Sequence, residues 1–170
     1  MQTLRECRPD DISRILEIVN AAAQAYRGVI PPDCFHDPYM TANTLREEID
    51  RGVTFLGSEA GGVLTGVMGL QQVDDVDLIR HAYVWPAAQG GGIGAALIAE
   101  LMRRSSRPLL VGTWVAASWA IRFYERHGFV RVVPDRAAAL LARYWNITER
   151  QAATSVVLER RAGARACPGC

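Results

Sequence analysis

No uninterrupted apolar stretch in these 170 residues approaches the roughly 18 needed to cross a bilayer, which argues against a transmembrane helix. The opening Met-Gln-Thr-Leu-Arg-Glu-Cys-Arg-Pro-Asp-Asp holds no apolar signal core. An excess of one charge is also missing: 19 basic and 18 acidic residues leave a formal net charge of +1. No bulk field recruits nucleic acid or an anionic membrane, so any phosphate recognition must be local. Cysteine is sparse. Cys7 and Cys34 stand alone, and Cys167-Pro-Gly-Cys170 is a single CxxC in the last four residues. One such pair supplies two of the four ligands a structural zinc needs. The expectation is a cytoplasmic protein without a metal. The remaining composition, 49% hydrophobic and 22% charged, suits one globular domain over residues 1–161 with a flexible tail at 162–170.

Periodicity places the elements. Residues 3–7 read as a strand. Asp10 or Asp11 can cap a helix in which Ile12, Ile15, Leu16 and Val19 share a face. Residues 26–40 form a loop rich in proline and aromatics. Thr44-Leu-Arg-Glu47 matches a capping box and predicts a short helix ending near Gly52, with Glu47, Glu48 and Asp50 on its solvated face. Strands are expected at 53–57, 63–73 and 76–85, with a turn at 59–62. A helix from Ile93 buries Leu97 and Leu101, and Glu100 can pair with Arg104. A buried strand at 108–112 follows, then a helix carrying Trp119, Phe123 and His127 on one stripe and closing at Gly128. Residues 137–144 read as helix, and 129–133 and 153–158 as the last strands. This order gives an α/β (α+β) fold with a mixed sheet.

The segment Tyr83-Val-Trp-Pro-Ala-Ala-Gln-Gly-Gly-Gly-Ile-Gly94 carries the chemistry. A strand breaks at Pro86, passes Gln89 and three glycines, and enters a helix. Glycines let the backbone approach a ligand closely, and the first N–H groups of a helix have no intrahelical partner. With the positive end of the helix dipole they favour an anion such as a pyrophosphate. The pattern Gly90-x-Gly92-x-x-Ala95 also loosely matches a dinucleotide-binding fingerprint, but no carboxylate follows in Leu109-Leu-Val-Gly-Thr-Trp-Val-Ala116.

Two blocks in this order resemble the GCN5-related N-acetyltransferase (GNAT) family. Gln89, Gly92 and Gly94 match its Gln/Arg-x-x-Gly-x-Gly/Ala signature. Ala120, Phe123, Tyr124, Gly128 and Phe129 match its Ala-x-x-Phe-Tyr helix ending in Gly-Phe. The resemblance implies a central, mostly antiparallel sheet flanked by helices and splayed open between the strand ending at Val84 and the strand at 108–112. It implies acetyl-CoA as cosubstrate and direct acetyl transfer to a primary amine of a small molecule or peptide. The alternative is a catalytically weak, CoA-binding regulatory module of the same fold. Homodimers are common in similar proteins.

The resemblance also implies roles. Ala82, Tyr83 and Val84 offer backbone to the pantetheine arm, and Gln89, Gly90, Gly91, Gly92, Ile93, Gly94 and Ala95 cradle the pyrophosphate. Ala120 and Tyr124 line the same site, with Tyr124 as the acid for the leaving thiolate. Arg104 or Arg122 can reach the phosphates. Two positions depart from the family pattern. Ala117 stands where many relatives carry a pantetheine-binding asparagine, and Leu78 stands where some carry a glutamate base. The base is then His81, the neighbouring Asp77, or a group acting through water. An ordinary imidazole pKa near 6.5 suits His81 to the task. Tyr26, His36, Tyr39, Tyr144 and Trp145 are expected to wall the acceptor side.

Overall fold

Two-residue turns join the central strands and force them antiparallel. In the computed structural model, which describes residues 2–161, β2 (Val53–Ala60) returns through Gly61-Gly62 as β3 (Val63–Val73), which returns through Asp74-Asp75 as β4 (Val76–Val84). Cys167, Cys170 and the rest of the expected tail lie outside the described residues. β1 (Gln2–Glu6) pairs antiparallel with β2. The one parallel pair, β4 with β5 (Leu109–Trp114), needs a long crossover, and α3 (Ile93–Arg104) lies on it. β7 (Ser155–Arg160) pairs antiparallel with β5 and with the two-residue β6 (Val130–Arg131). The seven strands run in the order β1-β2-β3-β4-β5-β7-β6, the mixed, mostly antiparallel α/β (α+β) sheet expected.

Both faces of the sheet are covered. Leu97, Ile98 and Leu101 of α3 pack with Ile121 of α4 (Ser118–Arg126) against Leu56, Met68, Ile79, Leu109 and Val111. On the other face Ile15, Ile18 and Val19 of α1 (Ile12–Ala23) and Leu45 of α2 (Ala42–Asp50) meet Val53, Phe55 and Val67. Adjacent residues such as Phe55 and Leu56 are thus both buried, on opposite faces. α5 (Pro134–Tyr144) brings Tyr144 against Leu78 and Leu110.

One irregularity organises the centre. Val67 pairs with Tyr83 and Gly69 pairs with Arg80, so Met68 of β3 faces two residues of β4, His81 and Ala82. This is a β-bulge, and His81 takes a left-handed φ of 48° within it. Beyond the bulge β4 no longer pairs with β5. Their register ends at Ile79 with Val111, although the strands continue to Val84 and Trp114. The opening expected from the glycine and helix motifs lies there.

Element ends differ from expectation in instructive ways. α2 is capped by Thr41, whose hydroxyl accepts from the Thr44 N–H, so the helix starts a turn before the Thr44–Glu47 pattern. Asp11 occupies the α1 cap position, but its carboxylate is taken by Arg5 and by the Arg8 N–H. Residues 59 and 60 extend β2, leaving the turn to Gly61-Gly62. A short α6 (Glu149–Ala153), with a capping box between Thr148 and Gln151, occupies a stretch with no expected element and delays the last strand to Ser155. Gly128 does take the left-handed conformation, φ 83°, and the Phe129 N–H turns back to the Tyr124 carbonyl.

Ile98 is fully buried between α3 and the sheet. Ile98→Ala is expected to cost about 2–5 kcal/mol, partly as a cavity that close-packed neighbours cannot fill. Thermal unfolding should report a Tm lower by roughly 4 °C or more.

Candidate active site

The cradle is assembled where β4 ends. Pro86–Ala88 makes one 3-10 turn, and Gly90 and Gly92 follow with φ of 80° and 79°. A side chain at either would strain the backbone, whereas the space beyond Gly92 is open. Gly92 is the N-cap of α3 and supplies no side-chain bond, so the N–H groups of Ile93, Gly94 and Ala95 face outward without an intrahelical partner. Gln89 donates its amide N–H to the Val84 carbonyl at 3.1 Å. Its side chain therefore ties the loop to the strand, and the cradle is left to backbone. The Trp85 N–H donates to Thr65 of β3, so Val84, one residue earlier, directs its N–H and C=O to the opposite, open edge. With the carbonyl taken by Gln89, the Val84 N–H is the group left facing the split.

A cleft of about 680 Å³ runs from this point. Ala82, Tyr83, Val84, Gln89, Gly90, Gly92, Ile93, Gly94, Ala95, Ala120 and Tyr124 line it, as expected from their motifs. Gly91 and Ala117 do not; Ala117 is sealed in a small core with Ile30, Cys34 and Trp114. Gly94 lets α3 and α4 approach, since a Cβ there would stand 3.2 Å from the Phe123 ring. Tyr124 is 5% exposed and packs edge-on against Phe123 and Phe129. Burial raises its phenol pKa, which keeps the proton on oxygen at neutral pH. Its hydroxyl has no hydrogen-bond partner among the described residues, yet Asp77 Oδ1 is the only sealed side-chain atom among them without one. The Tyr124 hydroxyl therefore opens to the cleft. At the cleft wall formed by the end of α4 stand Arg126 and His127. Arg104 is committed to Glu100 and Glu6 and Arg122 is not a lining residue, so Arg126 is the arginine that lines the cleft.

A second pocket, about 190 Å³, lies across the split. Tyr26, Tyr39, Tyr83 and Trp145 line it with Arg80, His81, Thr113 and Trp114; Tyr26 and Tyr83 also line the larger cleft. The Tyr83 hydroxyl meets those of Tyr26 and Tyr39, and Trp114 Nε1 donates to Tyr39 at 3.1 Å. Burial pushes the Tyr26 phenol up to about 12, so these hydroxyls stay neutral. Tyr26 stacks on Trp119, 5.9 Å between centroids.

A family model described as "Acetyltransferase (GNAT) domain" matches residues 6–142. The chain belongs to the GNAT acetyltransferase family. Solved structures agree. The PaiA N-acetyltransferase of Thermoplasma acidophilum, crystallised with coenzyme A, superimposes at a TM-score of 0.71 with 17% identity over 95% of this chain and 99% of that one. The ribosomal-protein-S18-alanine N-acetyltransferase of Escherichia coli gives 0.69 with 16% identity over 100% and 99%. YncA of Salmonella typhimurium, a putative acetyltransferase solved with acetyl-CoA, gives 0.66 with 20% identity over 100% and 99%. At these identities the likeness shows the fold alone. None of the curated proteins matches the sequence significantly.

Within this GNAT fold the remaining candidates separate. His81 lines the smaller pocket. Asp77 does not line either cavity; it is buried on the α3 side, with one oxygen accepting from Ser105 at 2.6 Å. Strand alternation puts it on the face opposite Leu78. Tyr39, Tyr26 and Trp145 meet at the pocket, whereas His36 is exposed and lines no described cavity, and Tyr144 turns away to donate to Asp75 at 2.6 Å. Glu48, read from sequence as a solvated position, is half-buried and bonds Arg80 and His81. Its spacing three residues after the fully buried Leu45 was the available signal.

Gly92→Val should weaken acetyl-CoA binding by about tenfold or more, because the left-handed backbone is strained by at least ~1 kcal/mol and the new side chain enters the open cradle. Calorimetric titration measures this directly.

Proposed function

We propose that the protein is an acetyl-CoA-dependent N-acetyltransferase acting on a primary amine. The observation that carries this reading is the pair of cavities meeting at Tyr26 and Tyr83, one ending in an anion cradle and the other in a pocket that holds an imidazole. The residues present suit coenzyme A. Outward N–H groups of α3 and the Arg126 guanidinium match phosphates, the unpaired edge of β4 matches an amide-bearing arm, and the cleft is long and largely apolar. Bound acetyl-CoA supplies an activated thioester.

The chain supplies the rest. The Val84 N–H stands at the split, where it can donate to a carbonyl oxygen. Tyr124, kept neutral by burial, can deliver a proton to a leaving thiolate. His81 can accept the proton that an ammonium must lose before it becomes a nucleophile. The aromatic walls exclude water from this exchange. The lining of the smaller pocket contains no carboxylate, and its volume suits a compact amine better than a polyamine.

Titration with acetyl-CoA, with NAD as control, is the first test, and thiol release with benzylamine, 2-phenylethylamine, spermidine and an unblocked tripeptide is the second. The chain contains no lysine, so acetylation of its own side-chain amines cannot supply a background. Acetyl-CoA binding without thiol release from any amine would favour a regulatory module. Tyr124→Phe is expected to lower kcat by roughly 10-fold or more while acetyl-CoA affinity changes by less than about twofold. Wild-type turnover in that variant would remove Tyr124 from the acid role.

A further inference from the structure

The bulge in β4 turns two consecutive residues, Arg80 and His81, toward the same carboxylate. A regular strand would send them to opposite faces. Arg80 donates to both oxygens of Glu48 at 2.8 Å, and His81 Nε2 lies 2.9 Å from Glu48 Oε2. All three side chains are largely buried, between 15% and 18% exposed. The imidazole also stacks on Phe55, 6.1 Å between centroids and 25° between planes. Its backbone holds a left-handed φ that a non-glycine residue seldom adopts, a cost retained where surrounding structure demands it.

We propose that Glu48 is a positioning residue that holds His81 as the proton acceptor for the amine in the smaller pocket, a role that rests on the acetyl-transfer reading above. A carboxylate only accepts, so His81 presents Nε2–H to it. Nδ1 is then the nitrogen carrying the lone pair, and it has no protein partner among the described residues. An acceptor ammonium gives one proton to Nδ1 and becomes a neutral amine. His81 becomes imidazolium, with Nε2–H still bonded to Glu48, and later returns the proton to solvent.

Burial works to raise the Glu48 carboxyl. The His81 bond and the charges of Arg80 and Arg51 work against it, the carboxyl stays below its usual range, and it remains charged when the imidazole must be stabilised. Tyr39 and Tyr83 line the same pocket as His81, and burial keeps their phenols neutral. Arg80 both orients Glu48 and balances its charge, which a lone half-buried carboxylate would lack.

Glu48→Gln keeps the shape and an oxygen for Arg80 while removing the charge. With saturating acetyl-CoA and the panel amine that the wild type uses fastest, kcat should fall roughly 10–100-fold, with acetyl-CoA affinity within about twofold. The acid limb of the kcat/KM profile should move to lower pH, because the charge that favours the imidazolium is gone. Added to His81→Ala, the same change should cost less than about twofold more. Wild-type kcat with an unmoved limb, or multiplicative losses in the double variant, would overturn the proposal. Should the Gln variant fail to fold, Glu48→Asp keeps the charge near Arg80 but withdraws it from His81, and the same loss of kcat is expected. NMR titration of the His81 ring gives a readout without turnover: its midpoint should be lower in Glu48→Gln than in wild type, and identical midpoints would sink the pairing. Acetyl-CoA binding with no thiol release by the wild type would instead overturn the acetyl-transfer reading, leaving the titration to decide the contact.

Discussion

Three register pairs, from Asp77 with Leu109 to Ile79 with Val111, are all that join β4 to β5. The residue inserted at His81 and Ala82 bends β4 away after them, and a bulged strand cannot keep both neighbours in register. The site depends on this interruption. It leaves the Val84 N–H without a β5 partner in the middle of a sheet, where strand pairing normally satisfies such groups, while the Val84 carbonyl is met by Gln89. It also joins the large cleft on the α3 side to the small pocket on the α2 side, with Tyr83 reaching both.

The electrostatics of the two sides differ, and each suits its cavity. The cradle carries local positive potential without any excess of protein charge, from helix N–H groups and Arg126 in a chain whose net charge is only +1. The smaller pocket is lined by neutral phenols and by Arg80 and His81, whose shared partner Glu48 is not part of the lining. The pocket walls present aromatic faces and one imidazole. Ion pairs elsewhere, such as Arg103 with Glu100 or Arg150 with Asp33, are exposed and add little to stability.

Local pattern was a good guide wherever one element decides the outcome. The 63–73 strand, the start of α3 at Ile93 and the Gly128 cap follow from periodicity and from residues with narrow backbone preferences. Cleft residues drawn from the two motifs also converge, because both motifs sit at the ends of elements that pack on each other through Phe123 and Gly94. Gln89, expected in the pyrophosphate cradle, lines the cleft and donates its amide to Val84. Asp77 illustrates the reverse case. Its position beside Leu78 made it a candidate, and strand alternation buried it against Ser105.

By itself the sequence determined the order of the elements up to α5, the glycine turn before α3, the placement of Tyr124 on a helix beside that turn, and hence the family. Each depends on neighbours within a few residues, where backbone preferences and hydrophobic period act directly. Only the tertiary structure decided that His81 lines the smaller pocket, that Glu48 meets it from 33 positions away, and that Arg126 rather than Arg104 or Arg122 lines the cleft. The physical reason is parity and convergence. One inserted residue flips the face of every side chain beyond it, and no local signal in β4 announces the insertion. The partners it selects come from α2 and α4, so their meeting exists only once the sheet has been assembled.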